Sequence, residues 1–203
     1  MSLVPPFART VTLRPVRSAD APSLQAYVES LSAASRRLRF HGAINACAPG
    51  LLRRLTEADG TRHVAFVALA TAPADAAHIV GEARYVVADG GDRAEFAISV
   101  ADSVRGHGVA EALMQQLFAA ARDAGIACLY GDVLADNGRM AAFLRRLGFE
   151  LAWQVDAGAG IERWERATDA GRGRARHGLG RWLRGWSLRT AMPPLPPGAR
   201  GLG

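Results

Sequence analysis

Residues 104–114, Val104-Arg105-Gly106-His107-Gly108-Val109-Ala110-Glu111-Ala112-Leu113-Met114, form a glycine-containing turn that leads directly into an apolar helical pattern. Gly106 and Gly108 have no Cβ, so the backbone can bend sharply there and bring its N–H groups close to a ligand. Those groups open a helix whose dipole favours negative charge. The stretch predicts a phosphate-binding turn; the alternative is an ordinary helix start, which carries such glycines without any ligand.

The segments on either side of the turn decide between these two interpretations. Residues 93–100 alternate as a strand does, and Leu113 and Leu117 begin a helical stripe that Gly125 ends. Residues 128–134 then predict another strand. Strand, turn, helix and strand make a βαβ-like unit with the phosphate site at its turn, which excludes an isolated glycine loop.

The remaining elements follow from periodicity. Pro15 favours an edge or a strand-end position in a first strand at residues 10–17. Residues 63–69, 78–87 and 93–100 predict an antiparallel meander, and residues 150–155 and 160–166 predict a closing hairpin. Helical stripes are predicted at Leu24, Tyr27, Val28 and Leu31, at Leu51, Leu52 and Leu55, and in the segment after Asn137.

Charge separates the chain into two parts, a domain at residues 1–168 and a tail at 169–203. All 25 basic residues are arginine, and seven of them lie in residues 170–203, which contain no Asp or Glu. This leaves 18 basic against 19 acidic residues in residues 1–169. The near-neutral domain gives no electrostatic support for nucleic acid as a partner of the core.

Cysteine content and hydropathy predict a cytoplasmic protein without a metal site. Cys47 and Cys128 show no CxxC spacing, which argues against a metal site or a disulfide framework. The first residues lack a basic start followed by an apolar core, and no apolar run approaches 18 residues.

The tail contains one patterned segment. Leu179, Trp182, Leu183 and Trp186 recur at helical spacing among arginines, as in a basic amphipathic helix that contacts an anionic membrane or a partner. Three glycines weaken such a helix. The favoured alternatives are docking on the protein itself or a disordered tail.

Two motifs resemble those of the GNAT superfamily of N-acetyltransferases. Arg105-x-x-Gly108-x-Ala110 is similar to the family's pyrophosphate motif, and the segment Asn137-x-x-Met140-x-x-Phe143-Leu144 is similar to the one after the next strand. The resemblance covers about residues 10–166. It is closest to the GNAT domains of bacterial protein-lysine acetyltransferases, which residues 35–42 and 93–96 also resemble. It implies an α/β (α+β) fold with a mixed, mostly antiparallel sheet of about six to seven strands, flanked by about four helices.

The resemblance implies acetyl-CoA as co-substrate. The pyrophosphate is expected on the backbone of Gly106, His107, Gly108, Val109 and Ala110, close to Arg105. The pantetheine arm is expected along the strand edge at Ile98 and Val100, with Asn137 hydrogen-bonded to it and Phe143 packed nearby. His107 is expected to contribute its backbone, with an exposed ring.

The resemblance also assigns the catalytic base, because a lysine ammonium with a pKa of about 10.4 is not a nucleophile. Glu95 takes this role directly or through a water; the alternative is a carboxylate paired with Arg93 or Arg84. The N–H of Ile98 is expected to meet the oxyanion. One residue departs from the family pattern: Leu144 stands where many members carry a tyrosine general acid. The proton for the leaving thiolate would then come from Tyr130 or a water, or the thiolate would leave unassisted.

The implied activity is acetyl transfer to a primary amine in a ternary complex, with protein lysine, polyamines, aminoglycosides and amino acids as candidate acceptors. The alternative is a non-catalytic acyl-CoA-binding module whose tail contacts a partner or a membrane. A second prediction concerns Arg36, Arg37 and Arg39, which either line a substrate entrance or, as we favour, form a solvated helix face.

Overall fold

A computed structural model of the chain describes residues 10–42, 48–71, 77–88, 91–156 and 160–172. In this part of the chain, seven strands form one sheet in the order β1-β2-β3-β4-β5-β7-β6. The strands are β1 (Thr10–Pro15), β2 (His63–Thr71), β3 (His78–Val87), β4 (Arg93–Val100), β5 (Cys128–Leu134), β6 (Glu150–Asp156) and β7 (Ile161–Ala167). The α-helices are α1 (Ala21–Ser30), α2 (Ala33–Phe40), α3 (Pro49–Thr56), α4 (Val109–Asp123) and α5 (Gly138–Arg146).

The strand pairing confirms the predicted topology. β1 is an edge strand and pairs antiparallel with β2, and β2, β3 and β4 form the antiparallel meander. β4 and β5 are parallel neighbours joined by α4, as a βαβ unit requires. In the closing hairpin, β7 lies inside against β5 and β6 becomes the second edge.

The described residues form five α-helices, where the sequence predicted about four. The additional helix is α2, which is separated from α1 by the extended backbone at Leu31 and Ser32. The Ser32 side chain accepts a hydrogen bond from the Ser35 backbone N–H, at 3.2 Å, and so begins a new helix. Serine is a preferred N-cap because its hydroxyl satisfies an N–H that has no partner inside the helix.

Helices cover the two faces of the sheet unequally. On one face, Leu113 and Leu117 of α4 and Leu144 of α5 are fully buried against β2 to β5. On the other face, Leu24 and Val28 of α1 pack with α2 and α3 over β2 and β3. Fully burying a leucine or valine side chain contributes roughly 1.5–3 kcal/mol, so both layers stabilise the fold.

Some sequence predictions lie outside the described residues. They concern Cys47, residues 157–159 between the two strands of the predicted closing hairpin, and the tail segment with Leu179, Trp182, Leu183 and Trp186. Among the helices that the structure describes, none has the length and apolarity needed to cross a membrane.

Candidate active site

The sheet opens between its two parallel strands. β4 and β5 pair only at three positions, Arg93 with Cys128, Ala94 with Leu129 and Glu95 with Tyr130. Beyond Glu95, β4 stays paired with β3 as far as Val100, and β5 stays paired with β7 as far as Leu134. We call this opening, from Glu95 and Tyr130 onward, the fork.

An aromatic ring packs at the base of the fork. A Cβ added to Gly131 would lie 2.7 Å from the ring of Phe96, so only glycine leaves room for that ring. The Phe96 ring also packs on Phe149, with 5.0 Å between the ring centroids. The Phe96 ring thus fills the space beside Gly131, where the two strands begin to separate.

The backbone of β4 presents hydrogen-bonding groups to the fork. The carbonyl of Asp92 accepts from Cys128 N on the β5 side, at 3.2 Å, whereas Arg93 O accepts from Ala88 N on the β3 side, at 2.8 Å. Because these groups alternate along a strand, those of Ile98 and Val100 point into the fork, away from β3. The predicted strand edge is therefore present at both residues.

A cleft at the fork collects side chains from five elements, α2, α3, β4, β5 and α5. It is lined by Leu38, Arg39, Phe40, His41, Leu55, Glu95, Phe96, Ala97, Ile98, Asp132, Val133, Asn137 and Met140. Glu95, Ile98 and Asn137 were predicted site residues. Arg39 was one of three arginines considered for a substrate entrance, and the others were not predicted as part of a cleft. Among these, Asp132 brings a second carboxylate.

Glu95 is buried beside an aromatic and cationic group of side chains, with only 3% of its surface exposed. Its cross-strand neighbour Tyr130 has the guanidinium of Arg163 at 4.7 Å and that of Arg93 at 5.4 Å from its ring centroid. Burial raises the pKa of the Tyr130 phenol, and the nearby Glu95 carboxylate raises it further. Arg163 in turn donates to both oxygens of Asp132, at 2.7 and 3.0 Å.

The two arginines considered as structural partners for Glu95 hold other carboxylates. Arg84 pairs with Glu82 at 2.6 Å, and Arg93 pairs with Glu165. Glu95 itself lies at the fork and lines the cleft.

The backbone of the predicted phosphate turn is left-handed at both of its glycines. Gly106 and Gly108 have φ of +77° and +76°, and a Cβ on either would meet no atom within 4 Å, so a side chain there would extend into open space. Gly108 is the N-cap of α4, and the first N–H groups of a helix have no partner within it. Val109 is buried and Ala110 partly buried in the core, so these two residues offer their backbone to the turn.

His107 and Arg105 are held by groups of the protein itself. The exposed His107 ring places Nδ1 at 2.8 Å from the carbonyl of Arg105. The Arg105 guanidinium pairs with Asp102 and donates to Ser35 Oγ at 2.8 Å. Asp102 also accepts from Ser32 N at 3.3 Å and from Ser35 Oγ at 3.0 Å. The turn is thus tied to the start of α2, a connection that sequence analysis did not predict.

Two predicted cofactor residues on α5 already have structural contacts. The Asn137 Oδ1 accepts from Met140 N at 3.2 Å and caps the helix, which leaves its amide N–H groups to donate elsewhere. Phe143 is mostly buried in the main core. Leu144 is fully buried there, so this position faces the core and does not line the cleft.

The arginines of α2 do not share one solvated face, and for Arg39 that prediction was wrong. Arg36 donates to the carbonyl of Glu29 at 3.0 Å, and the exposed Arg37 pairs with Asp136. Arg39 lines the cleft and is buried against Glu82, with 2.8 Å from Nε to Oε1. An arginine and a glutamate can be buried together because each balances the other's charge.

The resulting cluster of Arg39, Glu82 and Arg84 carries a strongly shifted carboxyl group. Burial would raise the pKa of Glu82, but the two guanidinium groups outweigh burial and lower it to about 2. Arg84 extends the cluster to α3, because it donates to the carbonyls of Arg54 and Leu55 at 3.2 Å. The cluster therefore fixes one wall of the cleft.

Comparisons with known proteins agree with this arrangement. A family model described as the acetyltransferase (GNAT) family matches residues 35–149. An acetyltransferase of Pseudomonas aeruginosa is 33% identical over 141 residues, which are 70% of this chain and 75% of that protein.

Solved structures show the same architecture. The GNAT domain of S. lividans PAT superimposes with a TM-score of 0.69 at 25% identity, over 81% of this chain and 99% of that one. A spermidine N-acetyltransferase from Vibrio cholerae, solved with CoA and spermine, superimposes with a TM-score of 0.61 at 16% identity, over 79% of this chain and 96% of that one. At that identity the second likeness concerns the fold alone.

Proposed function

The chain belongs to the GNAT family of acetyltransferases, and from that premise we propose that it acetylates a lysine ε-amine of a protein acceptor by direct transfer in a ternary complex. It is an acetyl-CoA-dependent N-acetyltransferase, which argues against the non-catalytic alternative. One observation carries the proposal: the fork places the buried Glu95 and an unpaired β4 edge in the same cleft. We assign this activity to residues 1–168.

The fork and the glycine turn fit acetyl-CoA, which supplies the acetyl thioester. The backbone at residues 106–110 would hold the pyrophosphate, because a side chain at Gly106 or Gly108 would extend into the space that the phosphates need. The N–H and C=O groups of Ile98 and Val100 would bind the amides of the pantetheine arm. Asn137 would donate from its side-chain amide, and Phe143 would support that wall from the core.

Glu95 would prepare the acceptor for attack. A lysine amine is protonated at neutral pH, so its nitrogen has no lone pair to offer until a base removes a proton. A carboxylate beside the reaction site can take that proton directly or through a water. Glu95 is suited to this role because it lines the cleft at the point where the strands separate.

The developing negative charge and the leaving group need separate stabilisation. The N–H of Ile98 points into the fork and would donate to the acetyl oxygen as its charge develops. Leu144 has no proton to give, so the thiolate leaves unassisted or takes a proton from water or Tyr130. An unassisted thiolate is acceptable, because an ordinary thiol has a pKa of about 8.5.

The proposal is tested by measuring CoA release with a thiol reagent while acceptors are varied. The acceptors are a lysine-containing peptide, the same peptide with arginine for lysine, spermidine and an aminoglycoside. We expect release with the lysine peptide and none with its arginine control, together with a 42 Da gain on the peptide by mass spectrometry, about the mass of one acetyl group replacing hydrogen. Release with spermidine or the aminoglycoside alone would contradict the protein-acceptor assignment.

A further inference from the structure

We propose that the face of β5, β7 and β6 that continues from Glu95 is the docking surface for the polypeptide around the acceptor lysine, and that Trp153 is its anchor. This inference rests on the proposed function and adds to it the surface that recognises the acceptor. We call this surface the open face; it consists of Tyr130 and Asp132 of β5, Arg163 and Glu165 of β7, and Glu150 and Trp153 of β6.

Strand register places these side chains on one side of the sheet. Directly paired residues point to the same face, so Glu95, Tyr130, Glu165 and Glu150 form one row across four strands. Asp132, Arg163 and Trp153 form the next row. The open face is therefore continuous with the cleft that contains Glu95 and Asp132.

The two faces of this half of the sheet differ in exposure. Residues that point the other way, such as Leu129 and Trp164, are buried under α4 and α5. On the open face, Trp153 is 52% exposed, and the Arg163 and Glu165 side chains are partly exposed. A half-exposed tryptophan on an edge strand is a strong candidate for an interaction anchor, because tryptophan is enriched at the centres of interfaces.

Contacts hold Trp153 in place and connect it to the cleft. The Arg163 guanidinium lies 5.1 Å from the Trp153 ring centroid and 4.7 Å from that of Tyr130. The same guanidinium is fixed by two hydrogen bonds to Asp132, which lines the cleft. Trp153 is thus pre-ordered by a chain of contacts that ends beside Glu95, and pre-ordering lowers the entropy cost of binding.

Charge and distance favour a basic, extended polypeptide as the occupant. Among the side chains that the structure describes on this side of β4, β5, β7 and β6, the carboxylates of Glu95, Asp132, Glu165 and Glu150 accompany the guanidinium groups of Arg93 and Arg163, a formal charge of −2. Glu95 and Trp153 are three strands apart, roughly 14 Å at about 4.8 Å per strand. About four extended residues span that distance, so a residue near the fourth position from the lysine would meet Trp153.

The test compares two substrates that carry the same amine. One is an 11-residue peptide with a central lysine and basic flanks, and the other is Nα-acetyl-lysine methylamide, which has no flanks. We expect Trp153→Ala in the full chain to lower kcat/KM at least tenfold on the peptide and less than twofold on the amide, with Trp153→Phe intermediate. The matched control is Val11→Ala, which removes an exposed apolar side chain from the opposite edge of the sheet and should change neither value.

Three results would count against the inference. If Trp153→Ala lowers kcat/KM equally on both substrates, Trp153 is a structural residue. If Trp153→Ala keeps the parent kcat/KM on both, the open face has no role in acceptor binding. Unchanged kcat/KM when the peptide's basic flanks are replaced by glutamates would contradict the charge argument. By contrast, if the parent chain acetylates neither substrate, the proposed function itself is refuted.

Discussion

Two buried glutamates on the same face of the sheet have different surroundings. Glu82 on β3 is bonded on both sides by arginines, from Arg39 at 2.8 Å and from Arg84 at 2.6 and 2.8 Å. Glu95 on β4 lies at the fork and lines the cleft beside Tyr130. Their exposure is almost the same, 2% and 3%.

The comparison shows that burial alone does not identify a catalytic carboxylate. Two guanidinium groups stabilise the charged form of Glu82 and leave it a poor proton acceptor, as its lowered pKa indicates. The role of Glu82 is to hold α2 and α3 on the sheet through Arg39 and Arg84. Glu95 lines the cleft in which we propose that the acceptor binds. We therefore expect changes at Glu82 to affect stability and changes at Glu95 to affect turnover.

The largest expected effect is on turnover after Glu95→Gln. The amide keeps the size of the side chain but cannot take a proton, so turnover should fall by about 10²–10⁴ while acetyl-CoA affinity persists. Steady-state kinetics and calorimetry measure the two quantities. Glu57→Gln, which changes an exposed ion pair with Arg53, is the matched control and should leave both unchanged. Loss of acetyl-CoA binding in parallel with turnover would make Glu95 structural.

Glu82→Gln should lower the stability of the fold, because Glu82 is the structural member of the pair. It leaves the guanidinium groups of Arg39 and Arg84 buried without their counter-charge, and breaking a buried pair in this way costs about 3–5 kcal/mol. Denaturant unfolding of the variant measures that loss of free energy. If its stability equals the parent's, the cluster does not hold the fold and the contrast with Glu95 disappears.

The contribution of the same cluster to stability should depend on pH in the acid range. The folded-state pKa of Glu82 is about 2, below its ordinary value of 4.5, so the stability that Glu82 contributes is complete above about pH 4.5. That contribution is lost as the pH falls through this window toward 2. Unfolding free energies measured from pH 6 to pH 2 should therefore decline less steeply in Glu82→Gln than in the parent chain. Parallel curves would contradict the assigned pKa.

A smaller effect is expected at the phosphate turn, where a substitution should change acetyl-CoA affinity without touching either glutamate. Gly108→Val places a side chain where the pyrophosphate is expected and should weaken acetyl-CoA binding at least tenfold, about 1.4 kcal/mol. Gly125→Val is a matched control, because Gly125 has the same φ of +76° and the same open surroundings beyond the other end of α4. Equal affinity losses in both variants would assign the effect to backbone strain.

The local features of this site were predictable from sequence, and those that depend on strand register were not. The glycine turn and the βαβ unit follow from residue type and periodicity over neighbouring residues, and the structure has both. Glu82 and Arg84 gave a signal that could have been used: two charged residues, two apart, in the apolar strand 78–87 must point the same way. Nothing local identifies their partner Arg39, which lies 43 residues from Glu82 in the chain.

The connection of the phosphate turn to α2 was unpredictable for the same reason. Arg105 meets Ser35 across 70 residues of sequence, so its side chain was assigned to the phosphate on the motif alone. The burial of Leu144 similarly depends on how α5 rotates against the sheet. Sequence patterns identify which residue types are present, whereas three-dimensional packing decides which of them share a site.

The most direct test of the central claim, that Glu95 is the base for the acceptor amine, is the pH dependence of the Glu95→Gln defect. Turnover of the parent and the variant on the lysine peptide would be compared from pH 7 to pH 10. Because free amine becomes available without a base as the pH approaches the lysine pKa of about 10.4, we predict that the ratio of parent to variant turnover shrinks steadily with rising pH. A ratio that stays constant over this range, or a variant as fast as the parent at pH 7, would contradict the account.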